Sequence, residues 1–119
     1  MNQLAKEKYI SLETLRKSGQ PMPTPVWFVE ENGALFVRTI ANAGKVKRAR
    51  NNPVVRVAPC TVRGVVTGAW VTGRATILPA QEDARINALV TKKYGLMKRV
   101  FDLIQRGKAC DVIKIELAA

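Results

Sequence analysis

A threonine and a lysine stand six residues apart around a short turn, and their side chains have the chemistry to hold an anion. Thr39 ends a predicted strand, and Lys45 lies near the start of a predicted helix that begins at Gly44. Free N–H groups at a helix start point toward an anion, and a nearby hydroxyl and ammonium add hydrogen bonds and charge. This order of residue types suits a phosphate group most simply. The alternative is a capped turn followed by a solvated lysine.

Two arginines flank this pair and differ in what they can reach. Arg48 follows Lys45 by three residues, so both side chains fall on one side of the helix and can approach the same anion. Lys47 falls on another side, where a solvated face is the simpler interpretation. Arg38 points to the opposite face of the strand from Thr39. Both can enter one pocket only if the strand end bends.

The positive charge of the chain is concentrated around this turn. Segment 32–81 contains no carboxylate, and it supplies +8 of the net charge of +11. Its cations are Arg38, Lys45, Lys47, Arg48, Arg50, Arg56, Arg63 and Arg74. A basic surface of this kind indicates an acidic partner. Nucleic acid is one such partner, but no nucleic-acid-binding motif is present and the aromatic residues do not alternate with the cations. We therefore expect a small phosphorylated ligand and no nucleic acid.

Composition excludes several kinds of chemistry. The chain has no histidine, which rules out a histidine-based triad, a histidine-ligated metal and a histidine general base. Cys60 and Cys110 match no metal-ligand spacing, so we interpret them as reduced thiols in a cytoplasmic protein. No apolar run approaches the roughly 18 residues of a membrane span, and residues 1–8 lack an apolar signal core. We expect no metal site and assign no catalytic side chain.

The elements that must position these residues are mostly strands. Apolar–polar alternation and strand-forming composition predict strands at 9–15, 26–29, 35–39, 54–58, 69–78 and 112–117. Pro21, Pro23 and Pro25 predict that the second strand is entered with one side unpaired. Asn-Gly at 32–33 is a hairpin signal. At 119 residues the chain is expected to form one domain, 1–119.

Three helices are predicted around these strands. One occupies 44–51 and is stopped by Asn-Pro. Another opens at Pro79 and is closed by Gly95, with Ile86, Leu89 and Val90 as its apolar stripe and Tyr94 as a helix-end packing residue. A third helix follows and is expected to stop at Gly107. Its inward side chains are expected to be Leu96, Val100, Phe101 and Ile104. The order of these strands and helices predicts a mainly β, α+β fold built on a six-stranded antiparallel barrel with peripheral helices.

Tryptophans and glycines in the strands leave two interpretations open. Trp27 and Trp70 are either core or dimer-interface residues, or they form a flat wall against a ring system. Gly64, Gly68 and Gly73 allow close backbone approach, which a planar ligand requires and a tight barrel corner requires equally.

The order of several short motifs is more specific than any one of them. They are Thr-Pro-Val-Trp at 24–27, Arg-Thr at 38–39, Gly-Lys-Val-Lys-Arg at 44–48, Asn-Pro-Val-Val at 52–55, Arg-Gly at 63–64, Gly-Ala-Trp-Val at 68–71 and Lys-Lys-Tyr-Gly at 92–95. In this order the chain, from about residue 9 to residue 117, resembles the flavin-binding split barrels related to pyridoxamine 5'-phosphate oxidase. Within them it most resembles the small deazaflavin (F420)-dependent oxidoreductases.

The resemblance implies a split β-barrel that forms a homodimer with the cofactor at the subunit interface. It implies an oxidoreductase that transfers hydride between bound F420, or alternatively FMN, and a small organic substrate. In this family the strand-end threonine and the lysine after the turn hold the cofactor phosphate, which corresponds to Thr39 and Lys45. The backbone before the hairpin lines the ring. The full candidate cofactor site is Thr24, Pro25, Val26, Trp27, Arg38, Thr39, Gly44, Lys45, Arg48 and Trp70.

Two alternatives remain open at this point. FMN carries one phosphate, whereas F420 adds an acidic oligoglutamate tail, and the concentration of cations favours the longer anion. A protein that binds a flavin without turnover would show the same sequence features. The oxidases themselves use a histidine toward their vitamin substrate, and this chain has none, so that substrate is not expected here.

Overall fold

The computed structural model describes residues 6–99 and 109–118, and its architecture is a curled antiparallel sheet with two helices against it. Strands β1 to β7 are Ile10–Leu15, Pro21–Val26, Val29–Glu31, Ala34–Ile40, Val54–Pro59, Val71–Ile77 and Cys110–Leu117. Helices α1 and α2 are Gly44–Asn51 and Asp83–Tyr94, and a short 3-10 turn at Ala80–Glu82 precedes α2. The expected mainly β, α+β split-barrel fold is confirmed, with seven strands in place of six.

The strand order is β2-β1-β5-β6-β7-β4-β3, and every pairing is antiparallel. Pairs β1–β2, β3–β4 and β5–β6 are sequence neighbours; the first two are joined by short turns, and residues 60–70 form a longer connection between β5 and β6. The last strand, β7, lies between β6 and β4 and therefore joins the two halves of the sheet. Its pairing with β4 runs from Ala34 opposite Glu116 to Ile40 opposite Cys110.

The additional strand arises because the predicted strand at 26–29 is divided in two. Strand β2 contains the three prolines and ends at Val26, and β3 begins at Val29, so Trp27 and Phe28 belong to neither. Strand β2 lies at the sheet edge and pairs with β1 alone. Prolines at every second position are tolerated there because their missing N–H groups face the unpaired side. The predicted one-sided strand is thus confirmed, although the prolines lie within it.

The hydrophobic core lies inside the curl of the sheet, and α2 covers part of the outer surface. The inner cluster includes Phe28, Leu35 and Val57, with Val46 of α1 closing one end. A second cluster lies between α2 and the outer face of β3, β4 and β7, and its members are Val29, Ala34, Phe36, Ile86, Val90, Tyr94 and Val112. In the part of the chain that the structure describes, α2 packs on β3, β4 and β7, whereas α1 contacts β1 and β6. On the outer face of β6, Thr72 and Arg74 are exposed, but Ser11 and Glu13 on the outer face of β1 are buried.

The predicted stripe of α2 is confirmed, since Ile86 and Val90 are buried and Leu89 packs at the edge of the second cluster. Leu96 was predicted to point inward and is 74% exposed, so that assignment is wrong. Gly95 turns the chain there with a φ of 54°. Residues 96–99 are helical, and the remaining positions assigned to the third helix lie outside the described residues. No helix within residues 6–99 and 109–118 is long and apolar enough to cross a membrane.

Close backbone approach at Gly73 is explained by the barrel itself. A Cβ atom at Gly73 would lie 3.0 Å from the carbonyl oxygen of Glu116 and 3.0 Å from Cγ2 of Ile115, on the neighbouring strand β7. A Cβ at Gly68 would lie 2.6 Å from Cγ of Pro59. Both glycines therefore serve packing between protein segments, which is the barrel-corner interpretation.

We expect Gly73→Ala to lower the free energy of unfolding by about 1–3 kcal/mol, because the added methyl group overpacks the β6–β7 contact. Urea denaturation followed by tryptophan fluorescence measures this change. Thr72→Ala is the matched control, since Thr72 is an exposed neighbour on the same strand, and it should cost less than about 1 kcal/mol. Equal stability of Gly73→Ala and the wild type would contradict the close approach.

Candidate cofactor site

The turn between β4 and α1 is held in place from the far end of the chain. Thr39 lies opposite Asp111 of β7, and the Asp111 carboxylate accepts a hydrogen bond of 2.9 Å from the N–H of Asn42. Asn42 has a φ of 60°, in the left-handed region that asparagine tolerates. The N–H of Ala41 donates to the carbonyl of Ala109 at 3.0 Å. Strand β7 thus fixes the path that the chain takes into α1.

Helix α1 begins without a side-chain cap. The residue before it is Ala43, which offers no side-chain acceptor, and no acidic residue lies in the first turn. The carbonyl of Ala43 accepts hydrogen bonds from the N–H groups of Val46 and Lys47. The N–H groups of Gly44 and Lys45 have no hydrogen-bond partner within the described ranges. These two donors point out of the helix start and are available to an anion.

Lys45 is half-buried beside another cation. Burial lowers the pKa of Lys45, and the Arg48 guanidinium lowers it further. No carboxylate of the described residues lies within 4.0 Å of the Lys45 ammonium. Desolvation and like charge both disfavour the protonated lysine, and a bound anion would reverse this balance.

Arg48 is anchored over the helix start. Its Nε donates a hydrogen bond of 2.7 Å to Oγ1 of Thr14, a buried residue near the end of β1. A Cβ atom at Gly44 would lie 2.8 Å from Nη1 of Arg48, so the guanidinium lies directly beside the backbone of Gly44. The structure therefore brings together Gly44, Lys45 and Arg48 at one point, as the helical spacing predicted.

Three of the eight cations of segment 32–81 are paired with carboxylates from elsewhere in the chain. Arg56 makes a bidentate pair with the buried Glu13 at 2.7 and 2.8 Å. Arg50 Nη2 lies 4.0 Å from the carboxylate of Asp111. The cations that make no ion pair with a described carboxylate are Lys45, Lys47, Arg48, Arg63 and Arg74.

Arg38 is the third paired cation and was among the predicted site residues. Its Nε and Nη2 bind Asp83 at 2.6 and 3.1 Å, which directs its guanidinium to the start of α2. Strand β4 stays paired with β7 as far as Ile40. The geometry therefore commits Arg38 to α2, on the opposite face from Thr39.

The predicted ring-lining segment runs along the sheet edge and into the break after β2. Thr24 and Pro25 lie on this edge strand, and Val26 is buried. The loop after β5 packs near it, because a Cβ at Gly64 would be 3.7 Å from the ring of Pro25. The Trp27 indole is stacked on a tyrosine ring, at 4.3 Å between centroids and 8° between planes.

Trp70 is held on the outer surface rather than in the core. The Arg56 guanidinium lies 4.8 Å from the Trp70 ring centroid, and the Glu13 carboxylate holds the edge of that guanidinium with two hydrogen bonds. A guanidinium anchored on β1 therefore lies over an indole in the segment before β6. Such a flat, preorganised surface suits either a second protein surface or a planar ligand.

Tyr94 has a larger structural role than the sequence suggested. It is buried, and its Oη contacts both the N–H and the carbonyl of Phe28 at 3.0 Å, as well as the carbonyl of Lys8 at 2.7 Å. Burial raises the pKa of Tyr94 to about 12, so the hydroxyl stays protonated at neutral pH. The motif Lys-Lys-Tyr-Gly at 92–95 contributed to the family resemblance, but no local pattern indicates this partner 66 residues away.

Lys93 reinforces the same contact. Its Nζ donates a hydrogen bond of 2.9 Å to the carbonyl of Phe28 and lies 3.6 Å from the centroid of that ring. Burial lowers the pKa of Lys93 to about 8, and Glu7 opposes this shift only in part. Lys93 and Tyr94 together fasten the end of α2 to the break between β2 and β3.

The site and the fold together define a class of protein. A curled antiparallel sheet, with an uncapped basic helix start after the strand that pairs with the C-terminal strand, is the arrangement of a flavin-binding split barrel. The sequence matches the pyridoxamine 5'-phosphate oxidase family over residues 1–118, and the chain belongs to this flavin-binding family. No curated protein matches the chain significantly.

Several solved structures are similar to the chain. An F420 reductase shares 17% identity and a TM-score of 0.65, with 98% of this chain and 91% of that chain covered. A FAD-binding protein from Mesorhizobium loti is 19% identical with a TM-score of 0.65, and the match covers 98% of this chain and 85% of that chain. The heme storage protein HutZ from Vibrio cholerae is 14% identical with a TM-score of 0.72, and the match covers 96% of this chain and 84% of that chain. At these identities the similarity concerns the fold.

We expect Lys93 to change the pH dependence of stability. Its pKa of about 8 in the folded protein is below the value of about 10.4 in an unfolded chain. The unfolded state therefore binds more protons between these values, and the free energy of unfolding should rise as pH increases from about 8 to about 10.4. Urea denaturation at several pH values should show this rise reduced in Lys93→Met.

Lys92→Met is the matched control, because Lys92 is the exposed neighbour on the same helix. It removes the same charge and should keep the pH slope of the wild type. A slope that is unchanged in Lys93→Met would show that Lys93 titrates normally.

Proposed function

We propose that the protein is an oxidoreductase that binds F420, with FMN as the alternative cofactor, and transfers hydride between this cofactor and a small organic substrate. The observation that carries the proposal is the half-buried Lys45 beside Arg48, at a helix start with free N–H groups and no paired carboxylate. A folded protein retains an uncompensated cation cluster of this kind most readily where a ligand supplies the missing negative charge.

The residues at this point have complementary roles toward a phosphate. The N–H groups of Gly44 and Lys45 and the ammonium of Lys45 supply donors, and Arg48 adds a guanidinium anchored by Thr14. Thr39 is the next-to-last residue of β4, the strand that leads into the turn, and we assign its hydroxyl to the same phosphate. Arg38 is left out of this set because Asp83 already binds it.

The ring of the cofactor is assigned to the segment that includes Pro25 and Trp27. This segment combines a proline-rich edge strand with a two-residue break that no neighbouring strand covers. The cofactor supplies the hydride chemistry, and the protein supplies binding, orientation and a shielded pocket. No side chain is needed as acid or base, and none of the described groups is arranged as a catalytic set.

Charge favours F420 over FMN. FMN brings one phosphate, whereas F420 brings a phosphate and an acidic tail, and the cations that pair with no described carboxylate include Arg63 and Arg74 in addition to the helix-start pair. Titration of each cofactor, followed by fluorescence, tests the choice. Tighter saturable binding of F420 supports the proposal, tighter binding of FMN selects the alternative, and no saturable binding of either overturns both.

A flavin-binding protein without turnover is the second candidate. It is favoured by the range of similar structures, which includes a heme storage protein and a FAD-binding protein along with a reductase. Reduced cofactor bound to the protein should be oxidised by at least one member of a broad acceptor panel if the protein is an enzyme. Tight binding with no oxidation by any acceptor would favour the binding role.

We expect Lys45→Ala to weaken binding of the cofactor by roughly 1.5–3 kcal/mol, the scale of a charge-assisted hydrogen bond. Fluorescence titration measures the change in Kd. Lys47→Ala is the matched control, because it removes the same charge from an exposed position on another side of α1. It should change the Kd much less. Equal effects of the two variants on the Kd would show that Lys45 contributes only non-specific charge attraction and does not bind the cofactor directly.

We also propose a homodimer, with the exposed outer faces of β5 and β6 as the contact surface. This surface carries the exposed Val54 and the Arg56 guanidinium over the Trp70 indole, while α2 occupies the outer surface of β3, β4 and β7. An exposed strand surface that carries apolar and planar groups is suited to a copy of itself.

Sedimentation velocity should give a mass of twice the 13.1 kDa of the chain. Val54→Lys, which places two lysines in the contact, should shift the protein toward monomer, because buried like charges oppose association. Thr91→Lys on the exposed side of α2 should leave the dimer unchanged. A monomeric wild type at micromolar concentration would contradict the dimer.

A further inference from the structure

The break between β2 and β3 is held by side chains instead of by a neighbouring strand. Phe28 lies in this break, and both polar groups of its backbone are bound by α2: its N–H donates to Oη of Tyr94, and its carbonyl accepts from Lys93. The Phe28 ring is fully buried in the core. The path of the chain here therefore depends on two consecutive residues at the end of one helix.

The Tyr94 hydroxyl is saturated by these contacts. It accepts one hydrogen bond, from the N–H of Phe28 at 3.0 Å, and its single proton is shared between the carbonyl of Lys8 at 2.7 Å and that of Phe28 at 3.0 Å. Lys8 directly precedes the segment that leads into β1. One hydroxyl thus ties the entry of β1 to the exit of β2, at a place where the ladder between these strands has ended.

The ring of Tyr94 adds a second restraint. Trp27 is stacked on it almost in parallel, with the ring centroids 4.3 Å apart, and aromatic rings in contact attract each other beyond the area that they bury. Hydrogen bonds to Phe28 and stacking on Trp27 therefore restrain the two residues of the break separately. Among the described residues, Tyr94 makes no hydrogen bond or ring stack with the helix start that carries Lys45, and the two regions lie on different elements.

We propose that Tyr94 is a positioning residue for the planar ring of the cofactor, acting through the backbone and indole of Trp27 and the backbone of Phe28. This inference rests on the proposed function, because it takes the ring to lie against the end of β2. The inference divides the site into two independently held parts. Tyr94 holds Trp27 and Phe28, against which the cofactor ring lies. The turn that Asp111 fixes and the Arg48–Thr14 hydrogen bond hold the part that binds the phosphate.

This division predicts separable effects of substitution at the two ends. Tyr94→Phe keeps the aromatic ring and its stacking and removes only the hydroxyl. It should weaken binding of the phosphate-free ring compounds, riboflavin and 5-deazariboflavin, by roughly fivefold to tenfold, the scale of one lost buried hydrogen bond. It should leave unchanged the ratio between the affinity of the full cofactor and that of its ring compound. Lys45→Ala should lower that ratio and leave the affinity of the ring compound unchanged.

The visible circular dichroism of the bound full cofactor is the second measurement. It reports the surroundings of the ring and would not change through a loss of overall stability in a variant that remains folded. We expect a changed band in Tyr94→Phe and also in Trp27→Phe, which alters the stacked wall while leaving the Tyr94 hydrogen bonds in place. Thr91→Ala, which removes a hydroxyl from the exposed side of the same helix, should keep the wild-type band.

Three outcomes decide whether Tyr94 positions the cofactor ring. Altered ring-compound affinity and altered dichroism in Tyr94→Phe, with a normal affinity ratio, support the inference. A wild-type band and wild-type affinities in both Tyr94→Phe and Trp27→Phe, together with the expected loss in Lys45→Ala, overturn the inference and leave the proposed function intact. Failure of the wild type to bind either cofactor overturns both.

Discussion

The antiparallel pairing of β4 with β7 is the interaction on which the candidate site depends. It places the C-terminal strand in the middle of the sheet, and it brings Asp111 beside the turn that follows Thr39. The Asp111 carboxylate then binds the N–H of Asn42 and sets the direction in which α1 departs. This long-range pairing, the Arg48–Thr14 hydrogen bond and the buried Val46 together fix the helix start relative to the strand end.

The fold also decides which of the many cations remain available. Carboxylates from outside segment 32–81 reach into it and pair with Arg38, Arg50 and Arg56. Those pairs hold α2, the turn and the outer surface. Lys45 and Arg48 are left without such partners while Lys45 is half-buried. An anion site therefore results as much from where the acids lie as from where the cations lie, and net charge alone describes it poorly.

The two ends of the candidate site are held by different elements of the fold. One end of the candidate site is polar and electrostatic, and it is held by β7 and α1. The other end is aromatic, and it is held by the last residues of α2, which clamp Trp27 and Phe28. Hydride chemistry belongs to the cofactor in flavin-type enzymes, so the proposed function requires placement of two distant cofactor parts more than it requires a reactive side chain.

Local patterns in the sequence were sufficient for the elements that short-range forces determine. Helix α1 has the predicted bounds because a proline disfavours helical backbone in the residue before it, and the Asn32-Gly33 hairpin forms because both residues accept positive φ. The convergence of Gly44, Lys45 and Arg48 followed from helical periodicity alone. The family resemblance, carried by the order of motifs, added the split barrel and the expectation of a flavin-type cofactor.

Only the tertiary structure decided the rest, because the partners are distant in sequence and no periodicity encodes them. The strand at 26–29 is divided because Tyr94, 66 residues beyond Phe28, takes over the backbone hydrogen bonds that a strand partner would make. Arg38 is withdrawn toward α2 because Asp83 lies within reach after folding. Residue types and spacing thus determined which groups can bind an anion, and packing of remote segments determined which of them are left free to do so.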